Sequence, residues 1–101
     1  MGTRLQLQSE LEERLGSKNV YYQPPESIKM SYTAIKYSKS DIDTRPANDS
    51  KYLKMNRYEL IVISKRPDDP VIDKLLDLPY CSYGRHYVVD NLYHDALTLY
   101  Y

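Results

Sequence analysis

Residues 80–101 leave the chain few choices. Two strand-like runs, Tyr80 to Val89 and Leu92 to Tyr101, flank Asp90-Asn91. Both turn residues tolerate positive φ, so the pair suits the type I′ turn whose twist matches the strands on either side. A two-residue turn also fixes the register: opposing positions sum to 181, so His86 faces Asp95 and Tyr87 faces His94. A lone hairpin is marginal in water, so the preceding residues have to widen it into a sheet and cover it.

The longest strand signal, Lys51 to Ser64, is polar in its early half and apolar on both faces at Leu60-Ile61-Val62-Ile63. That pattern predicts a strand central to the core at one end and projecting at the other. Val20-Tyr21-Tyr22, ended by Pro24-Pro25, and Tyr32 to Tyr37 supply two shorter strands. Residues 38–50, rich in Ser, Asp and Asn with Pro46, read as a polar loop. Thr3 with Gln6 matches a capping box, Leu7, Leu11 and Leu15 recur at i+4, and Gly16 is the expected stop of a first helix. A second helix opens at Asp69-Pro70, with aspartate as N-cap and proline at the first helical position. Val71, Ile72, Leu75 and Leu76 give its apolar stripe, and Pro79 closes it. The expected fold is α+β, an antiparallel sheet of four to five strands with two short helices packed on it. At 101 residues the chain makes one domain, 1–101, with a loop/strand arm around 38–56 projecting from it.

Charge is balanced in sum and uneven in place. Fourteen basic residues match fourteen acidic ones. Residues 51–67 carry Lys51, Lys54, Arg57, Lys65 and Arg66 against Glu59, a net of +4. Residues 68–101 carry Lys74 and Arg85 against six aspartates, a net of −4. A nucleic-acid-binding domain usually has an excess of basic charge, which this chain lacks. A polarised domain can instead associate head to tail with copies of itself or with neighbours. The aromatic set is twelve tyrosines with no phenylalanine or tryptophan. So many hydroxylated rings cannot all lie deep in a small core, which predicts tyrosines on half-buried sheet faces and at subunit contacts. No apolar run approaches the ~20 residues of a membrane-spanning helix. The N-terminal residues lack the apolar segment of a signal peptide. A single cysteine, Cys81, excludes an internal disulfide framework and suits a reducing compartment, where the Asn48-Asp49-Ser50 sequon stays unmodified.

Chemistry candidates are few. His86 opposite Asp95 is half of a nucleophilic triad, yet no serine or cysteine is placed beside it by local spacing, and such cross-strand pairs are ordinary sheet stabilisers. Cys81, His86, Asp90 and His94 match no zinc-ligand spacing. Gly2, Gly16 and Gly84 are too dispersed for a phosphate-cradling loop. Asp41 and Asp43 fall in the polar loop, and Asp68-Asp69 is explained by helix capping. No catalytic residue, cofactor or metal is expected.

Three segments together carry a resemblance: Val20-Tyr21-Tyr22-Gln23-Pro24-Pro25, Arg57-Tyr58-Glu59-Leu60-Ile61-Val62-Ile63, and above all Leu78-Pro79-Tyr80-Cys81-Ser82-Tyr83-Gly84-Arg85-His86-Tyr87-Val88-Val89-Asp90-Asn91-Leu92-Tyr93-His94-Asp95. In this order they resemble the small neck and tail-completion proteins of long-tailed bacteriophages, most closely the tail terminators. The resemblance implies a structural virion protein, assembled in the host bacterial cytoplasm, that forms a homo-oligomeric ring, commonly a hexamer. Such a ring caps the major tail tube protein, joins it to the head-side connector or stopper, and lets DNA pass without sequence-specific binding. A head-side neck protein, stopper or adaptor, is the alternative within the same particle. The all-tyrosine aromatic set and the zero net charge depart from the family without contradicting a channel through which DNA slides.

Size favours the same ring. A chain of this length has a radius of gyration near ~13 Å, a sphere roughly 34 Å across. Three such spheres in contact leave a hole of about 5 Å and six leave about 34 Å, against a duplex roughly 20 Å wide. The expected subunit or tube contacts are Arg45, Lys51, Tyr52, Lys54 and Arg57, on the polar arm. A heavily basic channel would retard DNA, so these cations are expected to serve protein contacts.

Overall fold

The computed structural model describes residues 3–25, 28–46 and 52–101, with 41–46 and 52–55 as backbone only. The elements run α1 (Arg4–Leu15), β1 (Val20–Tyr22), β2 (Ala34–Pro46), β3 (Tyr52–Ser64), α2 (Val71–Leu76), β4 (Cys81–Val89) and β5 (Leu92–Tyr100). The strands form one sheet in the order β1-β2-β3-β5-β4. The chain is thus α+β, with two helices packed on one face of a five-stranded sheet.

The local signals explain most of these elements. At α1 the Gln6 N–H donates to Thr3 Oγ1 at 3.2 Å and the Thr3 N–H donates to Gln6 Oε1 at 2.8 Å, closing the capping box. Gly16 ends the helix at φ 79, its N–H donating to the Glu12 carbonyl at 2.9 Å. Asp90 and Asn91 adopt φ 53 and 62, and β4 meets β5 in the expected register from Val89↔Leu92 to Arg85↔Ala96. At Gly84 the register slips by one, to Tyr83↔Leu97. A Cβ on Gly84 would lie 2.9 Å from the Ala96 carbonyl oxygen, so glycine is what lets the strands close at this bulge.

Three expectations need correction. The sheet is mixed rather than wholly antiparallel, because β1 runs parallel to β2 from Val20↔Ile35 to Tyr22↔Tyr37. Residues 38–46 belong to β2 instead of the polar loop, pairing with β3 as far as Pro46↔Tyr52. Inter-strand backbone bonds hold these polar residues, so no apolar period announces them. Last, α2 ends at Leu76, ahead of Pro79, although a further turn carries the Leu78 N–H to the Leu75 carbonyl at 3.0 Å. Its start differs too: Pro70 is the N-cap and carries no side-chain cap bond, while Asp69 before it accepts the Val71 N–H at 3.0 Å.

The core lies between the helices and the sheet. Leu7 and Leu11 of α1 and Val71 and Leu75 of α2 bury against Ile35, Leu60, Val62, Leu97 and Leu99. Tyr37 and Tyr58 are fully buried in it, and Tyr22 extends their stack with ring centroids 4.9 Å from Tyr37. The Tyr37 hydroxyl donates to Gln8 on α1 at 2.5 Å, which satisfies the one polar atom this ring brings inside.

Beyond this body β2 and β3 continue as a pair. β5 and the Tyr101 that follows it meet β3 only from Asn56 onward, and β1 covers only Ile35 to Tyr37 of β2. The outer parts of β2 and β3 therefore form a two-stranded ribbon, flanked by no third strand among the described residues. The molecule measures 51 × 24 × 22 Å.

Candidate functional site

The hairpin places the two histidines on opposite faces of the sheet, since His94 and Asp95 are adjacent on one strand. His86 Nδ1 lies 2.8 Å from Asp95 Oδ1 on the helix-covered face. His94 stacks on Tyr87 at 4.9 Å on the other face, and the Arg85 guanidinium covers the same Tyr87 ring at 4.9 Å. Two rings pointing apart cannot share a metal ion. Among the described residues no three His, Cys, Asp or Glu side chains gather to hold one.

Asp95 is a buried hub. Besides His86 it accepts the Tyr83 hydroxyl at 2.6 Å, both donors on the same oxygen. The hydrogen bond to Asp95, then burial, then the charge of that carboxylate, push the Tyr83 hydroxyl up to about 12. Tyr83 and His86 are exposed and Asp95 is not, so the cluster ties the outer strand β4 to β5. Among the described residues no serine hydroxyl donates to or accepts from it, and the third partner is a phenol held in its neutral form. The arrangement stabilises a strand pair. Replacing Asp95 by Asn removes the charge while keeping a carbonyl acceptor. Tyr83 is then expected to titrate back towards the ordinary tyrosine value of ~10, as followed by the ring carbon shift in NMR. A Tyr83 that titrates unchanged in Asp95→Asn would show that this bond does not control it.

Cys81 is half-buried against the core. Burial pushes its thiol up, and the nearby Arg14 cation only partly opposes this. It is the environment of an inert thiol. A second polar cluster, unexpected from the sequence, lies at the other end of β3. Asp69 accepts the Thr33 hydroxyl at 2.7 Å, the Ser64 hydroxyl at 3.3 Å and the Val71 N–H at 3.0 Å, with Arg66 Nε at 3.5 Å. It joins the remote Thr33, ahead of β2, to the segment that links β3 and α2, a tie that local spacing does not signal.

A hollow of about 740 Å³ lies between α1 and the turn before β4, lined by Leu5, Glu10, Glu13, Leu78, Tyr80 and Tyr101 among others. Tyr80 holds a left-handed backbone at φ 60 and is 71% exposed. Ser9, Glu10 and Glu13 also face it, and among the described residues no hydrogen bond joins the Ser9 hydroxyl to either carboxylate.

The arm residues fall on the ribbon. Arg45 pairs with Leu53, Tyr52 with Pro46 and Lys54 with Thr44, while Lys51 lies outside the described residues. Arg57 stands where the ribbon joins the body, paired with both Asp41 and Tyr100. Its Nε donates to Ser40 Oγ at 3.0 Å, and that hydroxyl donates back to the Arg57 carbonyl at 3.1 Å. The backbone thus brings Arg45, Tyr52 and Lys54 to one extension, with Arg57 at its root.

No helix among the described residues is long and apolar enough to cross a membrane. No protein-family model matches the chain, and no curated protein matches it.

Proposed function

We propose that the chain is a structural subunit of a bacteriophage virion. Six copies form a ring that caps the tail tube and joins it to the head-side connector, leaving a channel for DNA. The observation that carries this reading is the β2–β3 ribbon. A two-stranded extension buries little on its own and gains its stability from a neighbour or a partner surface. The segments that resemble tail terminators supply the identity of that partner. They include β1, the apolar half of β3 and the β4–β5 hairpin, the strands that build the body.

The dimensions refine the ring arithmetic. The molecule, ribbon included, is elongated rather than spherical, 24 × 22 Å across its long axis. Six bodies 24 Å wide standing side by side leave a hole of about 24 Å, while three leave about 4 Å. Only the larger ring admits a duplex roughly 20 Å wide. Arg45, Lys51, Tyr52, Lys54 and Arg57 would then meet the tube or the next subunit.

Electron microscopy of the purified protein, alone and mixed with tail tubes, tests the reading. Six-fold rings seated on one end of the tubes are the expected result. Replacing Lys51 and Lys54 by glutamate should abolish capping while leaving DNA transit normal in any completed particle. Rings that ignore tubes and bind an isolated head connector would make the chain a stopper or adaptor instead. A chain that binds neither would overturn the proposal.

A further inference from the structure

One edge of the sheet is open along most of its length. β4 ends the strand order, so no strand pairs with its outer N–H and C=O groups among the described residues, although the Cys81 N–H at its start donates to the Leu78 carbonyl at 3.4 Å. All of β4 except Cys81 and Tyr87 is exposed, with Tyr83 at 44%, Val88 at 56% and Val89 at 46%. Monomeric sheet proteins blunt such an edge with charged side chains, proline, bulges, short length or a covering segment. β4 is nine residues long, and beyond the bulge at Gly84 and the adjoining Arg85 its run His86–Val89 carries none of these devices.

The other side of the sheet carries a second free edge. β1 is only three residues long and stops at Tyr37. From Lys39 to Pro46 the outer backbone of β2 has no strand beside it among the described residues. Each copy therefore offers two long free edges on opposite sides of one sheet, the arrangement a head-to-tail contact requires.

Charge selects between the ways two copies can meet. Pairing β4 with β4 about a two-fold axis would set Arg85, the one charged residue of β4 and its middle position, beside its own copy. Pairing β4 with the outer edge of β2 sets it instead against a strand that carries Asp41 and Asp43 as well as Lys39 and Arg45.

We propose that the open edge of β4 in one copy pairs with the free outer edge of β2, Ser40 to Pro46, beyond the Lys39 N–H that Gln23 Oε1 accepts at 3.4 Å, in a second copy, so that the sheet continues from subunit to subunit. The contact follows from the edges and the charges. It rests on the ring reading above only for its closure into a ring.

The turn geometry supplies a clean test. In a type I′ hairpin the flanking pair, Val89 and Leu92, exchange bonds across the strands, so the Val88 N–H points away from β5 towards the open edge. Val88→Pro removes that donor without breaking the β4–β5 ladder. Light scattering on the full chain should show an oligomer whose half-assembly concentration rises about tenfold in Val88→Pro, from the loss of a backbone pairing. Val88→Lys, which leaves the backbone untouched, should act in the same direction. In the wild type the Val88 and His86 amides should exchange slowly when assembled and quickly when diluted. An unchanged oligomer in both variants, a chain that stays monomeric, or a two-fold dimer as end state would overturn the edge pairing. Wild-type rings that Val88→Lys abolishes but that never bind tubes would uphold the pairing and overturn the tail reading. Tubes capped normally by both variants would do the reverse.

Discussion

Leu60→Ala is expected to destabilise the chain by about 2–5 kcal/mol, a large part of the ~5–15 kcal/mol that a small domain has. Leu60 is wholly buried on β3, the central strand of the sheet. Its register partners on the two neighbouring strands are Tyr37 and Leu97, at 1% and 2% exposure. These three side chains lie side by side on the face that α1 and α2 cover. Truncating the middle one leaves a cavity that Tyr37 cannot fill without breaking its hydroxyl's bond to Gln8. The next residue provides the comparison. Ile61 is only half-buried and faces the side of the sheet without helices, so Ile61→Ala should cost well under half as much. Urea unfolding of both variants, with equal slopes, measures the difference. If Ile61→Ala costs as much as Leu60→Ala, the uncovered face is buried in solution, and the sheet has a partner there.

Leu60-Ile61-Val62-Ile63 shows why parts of this fold were legible. Four consecutive apolar residues mark a strand buried at its centre, and they form the middle of β3. The β4–β5 hairpin was equally plain, because Asp90-Asn91 set both the turn and the register. Residues 38–46 were not, because a two-stranded ribbon can be held by its backbone pairing without hydrophobic alternation. Its order comes from backbone bonds that any polar side chain permits. The parallel pairing of β1 was hidden for another reason. Three residues carry no signal of direction, and the Asn19 carbonyl that accepts the Ile35 N–H at 2.9 Å depends on how residues 23–33 cross over. Within the candidate site the His86–Asp95 pair could be read from register, since both lie on one hairpin. Tyr83 joining the same carboxylate could not, because the slip at Gly84 shifts it by one position and brings its ring onto the face that carries Asp95.

Asp69 is the position where one side chain does most to hold separate parts of the fold together. Its carboxylate is 8% exposed. It binds the segment before β2 through Thr33, the end of β3 through Ser64 and the start of α2 through the Val71 N–H. Burial alone would push this carboxyl up. The hydrogen bonds from Thr33 and Val71, the Arg66 charge and the Ser64 hydroxyl together outweigh it and hold the group below the ordinary carboxylate range. Asp69→Ala removes the acceptor of the Val71 N–H and of the Ser64 hydroxyl, while the Thr33 hydroxyl keeps Ser64 Oγ at 3.3 Å as its acceptor, at an expected cost of about 2–4 kcal/mol near neutral pH. The sign of the pH dependence follows from the direction of the shift. A carboxylate held low in the folded state is protonated first in the unfolded chain, near pH ~4, so its contribution is complete above that value. As pH falls further, through the depressed folded value, the contribution is lost. Asp69→Asn keeps the size and one acceptor but cannot titrate. The stability gap between wild type and Asp69→Asn, from urea unfolding at a series of pH values, should therefore be widest above pH ~5 and shrink steadily below ~4. A gap that stays constant down to pH ~2 would mean that the carboxylate's charge contributes nothing, and that Thr33, Ser64 and Val71 need only a neutral acceptor at this position.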